Sequence, residues 1–197
     1  ALKYCHFPSS DDYDVSNAHF ELGRQRFVIE ELLAYKLLLL DAKKIYESNK
    51  SHIFNISENA INDFIVSLPF ALTVSQKNAI SDIKNSFLKS YPTKRLIQGD
   101  VGSGKTIIAI IASYFSKLSN LQTGILVPTE ILADQHTNTF KKIFSGFSVK
   151  IECLKSNLTP REKSRIIESV QSGNTDILIG THSIIQDNVR FLNLGLI

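Results

Sequence analysis

Eight consecutive residues, Gly99-Asp100-Val101-Gly102-Ser103-Gly104-Lys105-Thr106, fit the pattern G-x-x-x-x-G-K-[ST]. Residues of these types at this spacing can hold a polyphosphate. Glycines let successive backbone N–H groups turn inward around phosphate oxygens with no Cβ in the way. A helix beginning at the end of the loop points unpaired N–H groups and a partial positive charge at the same anion. Lys105 adds a full charge for the β- and γ-phosphates, and the Thr106 hydroxyl suits Mg²⁺. Composition alone produces the pattern in roughly one chain in a hundred of this length. The flanks supply the expected setting of strand, loop and helix. Leu96-Ile97 ends a short apolar run, and Ile107-Ile108-Ala109-Ile110-Ile111-Ala112 opens a segment that must be buried.

Three other segments carry candidate ligand groups. Thr73-x-x-Gln76 precedes the loop by one helix. A glutamine amide offers both donor and acceptor to an adenine edge, but the same four residues form a capping box. Pro128-Thr129-Glu130 starts a helix directly after a strand. Thr129 can cap that helix, whose exposed N–H groups can hold a nucleic-acid phosphate; it is equally a plain helix start. Gly180-Thr181-His182 follows a later strand. The Gly-Thr pair allows close backbone approach and offers a hydroxyl, whereas His182 alone is as consistent with a structural histidine.

The elements that must position these residues follow from patterning. Residues 1–15 are polar and turn-like, and about 17–49 reads as one long helix with an apolar stripe. A short helix at about 57–68 ends at Pro69. From Leu72 helices and strands alternate: helix 73–90, strand 95–98, helix 105–118, strand 123–127, helix 130–144, strand 149–154, a helix opened by Thr159-Pro160-Arg161-Glu162, and strand 176–179. That rhythm predicts an α/β fold, a parallel sheet with helices on both faces. Ligands bind such sheets beyond the carboxyl ends of the strands, so segments 98–100, 128–130 and 180–183 are expected to line one rim.

Bulk composition sets the limits. The chain has 197 residues, 43% hydrophobic, which excludes a disordered chain. A net charge of +3 permits a nucleic-acid partner without requiring one. Cys5 and Cys153 match no metal spacing and read as reduced thiols of a cytoplasmic protein. The longest apolar run, Leu32 to Leu40, is interrupted by Lys36, so no membrane partner is expected. Methionine is absent even at position 1, and Leu194-Gly195-Leu196-Ile197 reads as the start of a strand. Both ends are therefore expected to be cuts within a longer protein.

Taken in order, Leu68-Pro69-Phe70-x-Leu72-Thr73-x-x-Gln76, Gln98 to Thr106, Pro128-Thr129-Glu130-x-Leu132-Ala133-x-Gln135-His136 and Gly180-Thr181-His182 resemble the RecG family of bacterial ATP-dependent DNA helicases. Leu2-Lys3-Tyr4-x-His6-Phe7-Pro8, Arg24-x-Arg26 and Glu30-Glu31-Leu32-Leu33-Ala34 are similar too. The transcription-repair coupling factor is also similar in Gly-Asp-Val-Gly. It typically has Phe where Ser103 stands and Thr where Glu130 stands. The primosomal helicase differs more within the loop.

The resemblance implies a superfamily 2 motor with a RecA-like domain that uses ATP and Mg²⁺. Gly99–Thr106 would be its motif I, and Gln76 would lie near the adenine. Pro128, Thr129 and Glu130 would belong to motif Ia, and Gly180, Thr181 and His182 to the next DNA-facing motif. The family translocates on duplex DNA and remodels stalled forks, Holliday junctions and other branched DNA in recombination and repair. Residues 1–67 would be a helical connector after a DNA-wedge domain, and 68–197 the first part of the first RecA-like domain. The wedge domain, the Asp-Glu-x-His motif and the second RecA-like lobe with its arginine finger are implied outside the chain. Phosphoryl transfer depends on charge positioned by all these parts, so the chain alone is expected to bind nucleotide weakly and not to turn it over. Two other classes compete. A P-loop enzyme acting on a small molecule leaves Pro128–His136 and Gly180–His182 without a role. A non-catalytic module with a decayed loop has no reason to keep Lys105 and Thr106.

Overall fold

Isoleucines at 107, 108, 110 and 111, with Tyr114 and Phe115, give Lys105–Leu118 more apolar surface than one face can carry, so this helix must be buried on several sides. In the computed structural model it is the central helix of an α/β layer. The structure describes the backbone of residues 18–197 and the side chains of 23–197. The residue 2–8 motif, the turn-like residues 1–15 and Cys5 therefore lie outside the described side chains. The described chain falls into two compact units, one ending at Lys50 and the other comprising Ser51–Ile197.

The first unit is helix α1, Ala18–Ser48. Its surface carries i,i+4 ion pairs, Arg26–Glu30 at 2.7 Å and Lys43–Glu47 at 3.7 Å. The expected apolar stripe is broader than a stripe. At 100° per residue, four consecutive leucines from Leu37 to Leu40 reach every side of the helix, and all four are exposed.

The second unit begins with α2, Glu58–Ser67, and α3, Val74–Phe87, followed by α4, Lys105–Leu118. Strands β1, Gln122–Leu126, β2, Ile151–Leu154, β3, Ile177–Gly180, and β4, Leu194–Leu196, then alternate with α5, Glu130–Ile143, and α6, Pro160–Gln171. A short 3-10 helix, His182–Ile185, follows β3. All three strand pairings are parallel, in the order β2-β3-β1-β4. Alternate residues of β3 serve opposite faces. Ile177 and Ile179 join α2 to α5 in the larger core, while Leu178 packs with Ile166 and Val170 of α6 and with Ile184. Helices therefore cover both faces, as predicted.

Two expectations change. Residues 51–67, grouped with the connector from sequence, pack into the second unit. Phe54 stacks on Phe87 at 4.1 Å, and Phe64 on Tyr114 at 4.4 Å. The strand expected at 95–98 is absent. Residues 92–100 have no regular secondary structure, and Leu96 is 80% exposed. An apolar run becomes a strand only when a neighbouring edge takes its N–H and C=O groups. Here Arg95 instead turns toward α3, donating to Ser86 Oγ at 2.9 Å and pairing with Asp82 at 3.4 Å.

The amino ends of the strands are tied by one buried and one half-buried polar side chain. Gln122 donates through Nε2 to Val170 O (2.9 Å) and Thr175 O (2.7 Å), and its Oε1 accepts from Asn193 N–H at 3.0 Å. Asp176 bridges Lys117 Nζ (2.8 Å) and Lys150 N–H (2.7 Å). The carboxyl ends are left for other work.

Candidate phosphate site and sheet rim

The phosphate loop turns through residues 101–103 and ends where α4 begins. Gly102 and Gly104 have φ of +82° and +80°, the left-handed region that side chains with a Cβ rarely enter. A Cβ on Gly104 would also lie 2.5 Å from Gln76 Nε2. Gly99 is similarly crowded, 2.8 Å from Ser103 Oγ. Lys105 Nζ donates to the carbonyls of Gly99 and Asp100, each at 2.6 Å, which seats the ammonium inside the loop. Asp100 and Val101 are exposed, and Thr106 is half-buried on the first turn of α4. A glycine-bearing loop beside one ammonium and one hydroxyl fits a polyphosphate with its Mg²⁺.

Gln76 reaches the same loop. The capping box forms: Gln76 N–H donates to Thr73 Oγ1 at 3.2 Å, and Gln76 Oε1 accepts from Thr73 N–H at 2.9 Å. The remaining amide group is also engaged, with Nε2 donating to Ser103 O at 3.1 Å. Sequence posed cap and ligand contact as alternatives. Here the side chain caps α3 and holds the phosphate loop together.

The segments after β1, β2 and β3 meet at the carboxyl rim. Val127 N–H donates to Gly180 O at 2.9 Å. Pro128 and Thr129 are exposed, and the Thr129 hydroxyl accepts from Leu132 N–H at 3.3 Å, capping α5. Gly180 is buried against the Leu154 carbonyl, where a Cβ has no room. Thr181 precedes the 3-10 helix with its hydroxyl making no capping bond, and His182 is exposed. Glu130 behaves unlike the rest. Its Oε1 accepts from Ser156 N–H at 2.8 Å. The Ser156 hydroxyl, then its backbone N–H, hold the carboxyl below the usual glutamate range. The phosphate loop is tied to α3 through Gln76.

Sequence reasoning passed over the segment after β2, Lys155-Ser156-Asn157. The signal was present, because it follows Leu154 as the other polar segments follow their strands. It borders a cleft of about 210 Å³ shared with Lys163, Thr181, His182 and Ser183.

The sequence profile described as DEAD/DEAH box helicase matches residues 73–197. The chain belongs to that family. Among DEAD/DEAH relatives, it is 38% identical over 194 residues to the ATP-dependent DNA helicase RecG of Aquifex aeolicus, covering 98% of this chain and 24% of that protein. It is 40% identical over 179 residues to RecG of Thermotoga maritima, covering 91% of this chain and 23% of the relative. A solved structure of RecG bound to a three-way DNA junction aligns with a TM-score of 0.85 at 39% identity, over 90% of this chain and 25% of that one. The chain thus spans about a quarter of the length of the relatives it matches. Among the described residues, no helix is long and apolar enough to cross a membrane.

Proposed function

We propose that this chain is the ATP-binding part of an ATP-dependent DNA helicase of the RecG type, a translocase that remodels branched DNA at stalled forks and Holliday junctions. The observation that carries the reading is the phosphate loop opening α4, with Lys105 seated between the Gly99 and Asp100 carbonyls. It stands in a chain that aligns over 90% of its length with RecG on a DNA junction.

In this reading Gly99–Thr106 hold the ATP phosphates through backbone N–H groups, and Lys105 meets the β- and γ-phosphates. Thr106 is the residue placed to hold Mg²⁺, whose charge neutralises phosphate oxygens when bound. Gln76 sits at the nucleotide's edge and shapes the loop. Pro128, Thr129, Gly180, Thr181 and His182 face the DNA backbone across the rim. Residues up to Lys50 form the connector from a wedge domain, and 51–197 the first part of the first RecA-like domain. The wedge and the second RecA-like lobe belong to the rest of the polypeptide, which works in the cytoplasm.

The test is ATP hydrolysis by the full-length protein with and without a branched DNA. Junction DNA should stimulate hydrolysis at least about tenfold, and Lys105→Ala should abolish hydrolysis and unwinding while junction binding persists. Unwinding that survives Lys105→Ala would overturn the role given to the loop.

A further inference from the structure

Two acidic side chains at the rim need an explanation, since a carboxylate facing a phosphate backbone repels it. Glu130 and Asp134 lie one helical turn apart on α5. Both are directed at the loop following β2. Glu130 Oε1 takes the Ser156 N–H at 2.8 Å, and Asp134 takes Lys155 Nζ with both oxygens, at 2.9 and 3.0 Å. The loop is gripped from its other sides too. Lys163 Nζ, on the first turn of α6, donates to Ser156 O at 2.6 Å, and Ser183 Oγ donates to Leu154 O at 3.0 Å. Both main-chain groups of Ser156 are therefore fixed by side chains from two different helices. What the loop presents outward is the exposed Ser156 and Asn157, beside the cleft that also holds Lys163, Thr181 and Ser183.

We propose that Glu130, assisted by Asp134, is a positioning residue that straps loop 155–158 to α5 and so sets the height of the surface on which the DNA backbone is laid. The proposal rests on the reading of this rim as DNA-facing, and it removes Glu130 from the residues that touch DNA. Its carboxylate stays ionised, but one oxygen is committed to the Ser156 N–H rather than to the DNA side. The second acid, Asp134, is matched by the opposite charge of Lys155. Lys155 is thereby a strut: its ammonium is directed at Asp134, and its side chain is only 17% exposed.

Positioning and simple repulsion predict opposite signs, which makes the proposal testable in the full-length protein by titrating duplex or junction DNA into the ATPase assay. Glu130→Ala should raise the DNA concentration for half-maximal stimulation about fivefold or more, with kcat at saturating DNA within about twofold. Glu130→Gln keeps the acceptor and should stay within about twofold of the parent. Glu130→Asp keeps the charge, shortens the reach and should behave like Glu130→Ala. It also guards against a folding defect, as thermal melting of each variant will show. An unchanged or tighter half-saturation in Glu130→Ala overturns the proposal, as does a Glu130→Gln as impaired as Glu130→Ala. Thr181→Ala separates this from the underlying reading. If Thr181→Ala weakens DNA stimulation and Glu130→Ala does not, only the strap is wrong. If neither matters, the rim is not DNA-facing and both fall.

Discussion

The Gln76 amide nitrogen donates to the Ser103 carbonyl at 3.1 Å, joining the cap of α3 to the middle of the phosphate loop. The oxygen of the same amide already accepts from Thr73 N–H at 2.9 Å. One side chain thus fixes a helix start and a ligand loop 27 residues away. Gln76→Ala keeps the Thr73 cap but loses the reciprocal half of the capping box, about 0.5–1 kcal/mol, and should also weaken nucleotide binding about tenfold, because the loop must then order itself. Urea unfolding measures the first and calorimetric nucleotide titration the second. Gln76→Glu keeps the cap acceptor but sets a carboxylate against the Ser103 carbonyl. It should retain most of the stability and still bind nucleotide poorly.

Gly104→Ala tests the loop's backbone. The residue needs φ near +80° and has Gln76 Nε2 where a Cβ would go. Forcing an L side chain into the left-handed region costs about 1–2 kcal/mol. Displacing Gln76 adds to that, so nucleotide affinity should fall by more than tenfold. Nucleotide titration of the variant checks it, and wild-type affinity would refute the geometry.

Isolated as a 197-residue protein, the chain should bind nucleotide weakly and release no phosphate above the blank, with or without DNA. Steady-state phosphate release decides this. Clear turnover would mean that the groups timing hydrolysis lie within these residues.

Acid should loosen the rim. Hydrogen bonds from Ser156 hold Glu130, and hydrogen bonds from Thr159 hold Glu162, below the usual glutamate range. A carboxyl whose folded value is depressed stabilises the fold above its unfolded value and loses that contribution as pH falls through the folded one. Melting temperatures should therefore drop as pH passes below about 4. The drop should be smaller in a Glu130→Gln, Glu162→Gln double variant.

Gln122 makes three hydrogen bonds at 4% exposure. Gln122→Ala leaves buried backbone groups without partners and should cost about 2–4 kcal/mol in urea unfolding. Its place at the amino ends of the strands puts it away from the carboxyl rim, so DNA half-saturation should hold.

Much of this architecture was legible because its signals are local. The bounds of Lys105–Leu118 follow from glycines before it and continuous apolar residues within it. Thr159-Pro160-Arg161-Glu162 declares a capping box, and the box is made. What depended on distant partners was less legible. Residues 95–98 have strand-like side chains, but a strand is a relation to a neighbour, and Arg95 finds α3 instead. Phe54 stacks on Phe87 and Phe64 on Tyr114, partners tens of positions away that no short window on the sequence displays. Glu130 read as one of three rim residues; only its distance to Ser156, 26 residues on, distinguishes it from Thr129.

Lys105 commits its ammonium to the loop itself, with two carbonyl partners at 2.6 Å. A phosphate entering the loop exchanges those contacts for new ones rather than adding to them. The heat released on binding will therefore fall short of what a tally of phosphate contacts suggests. Removing the ammonium takes a ligand from the anion, but it also removes the cost of breaking the two carbonyl contacts. Ground-state affinity should accordingly respond less to Lys105→Ala than hydrolysis does, which is the mark of a charge whose value lies in the transition state.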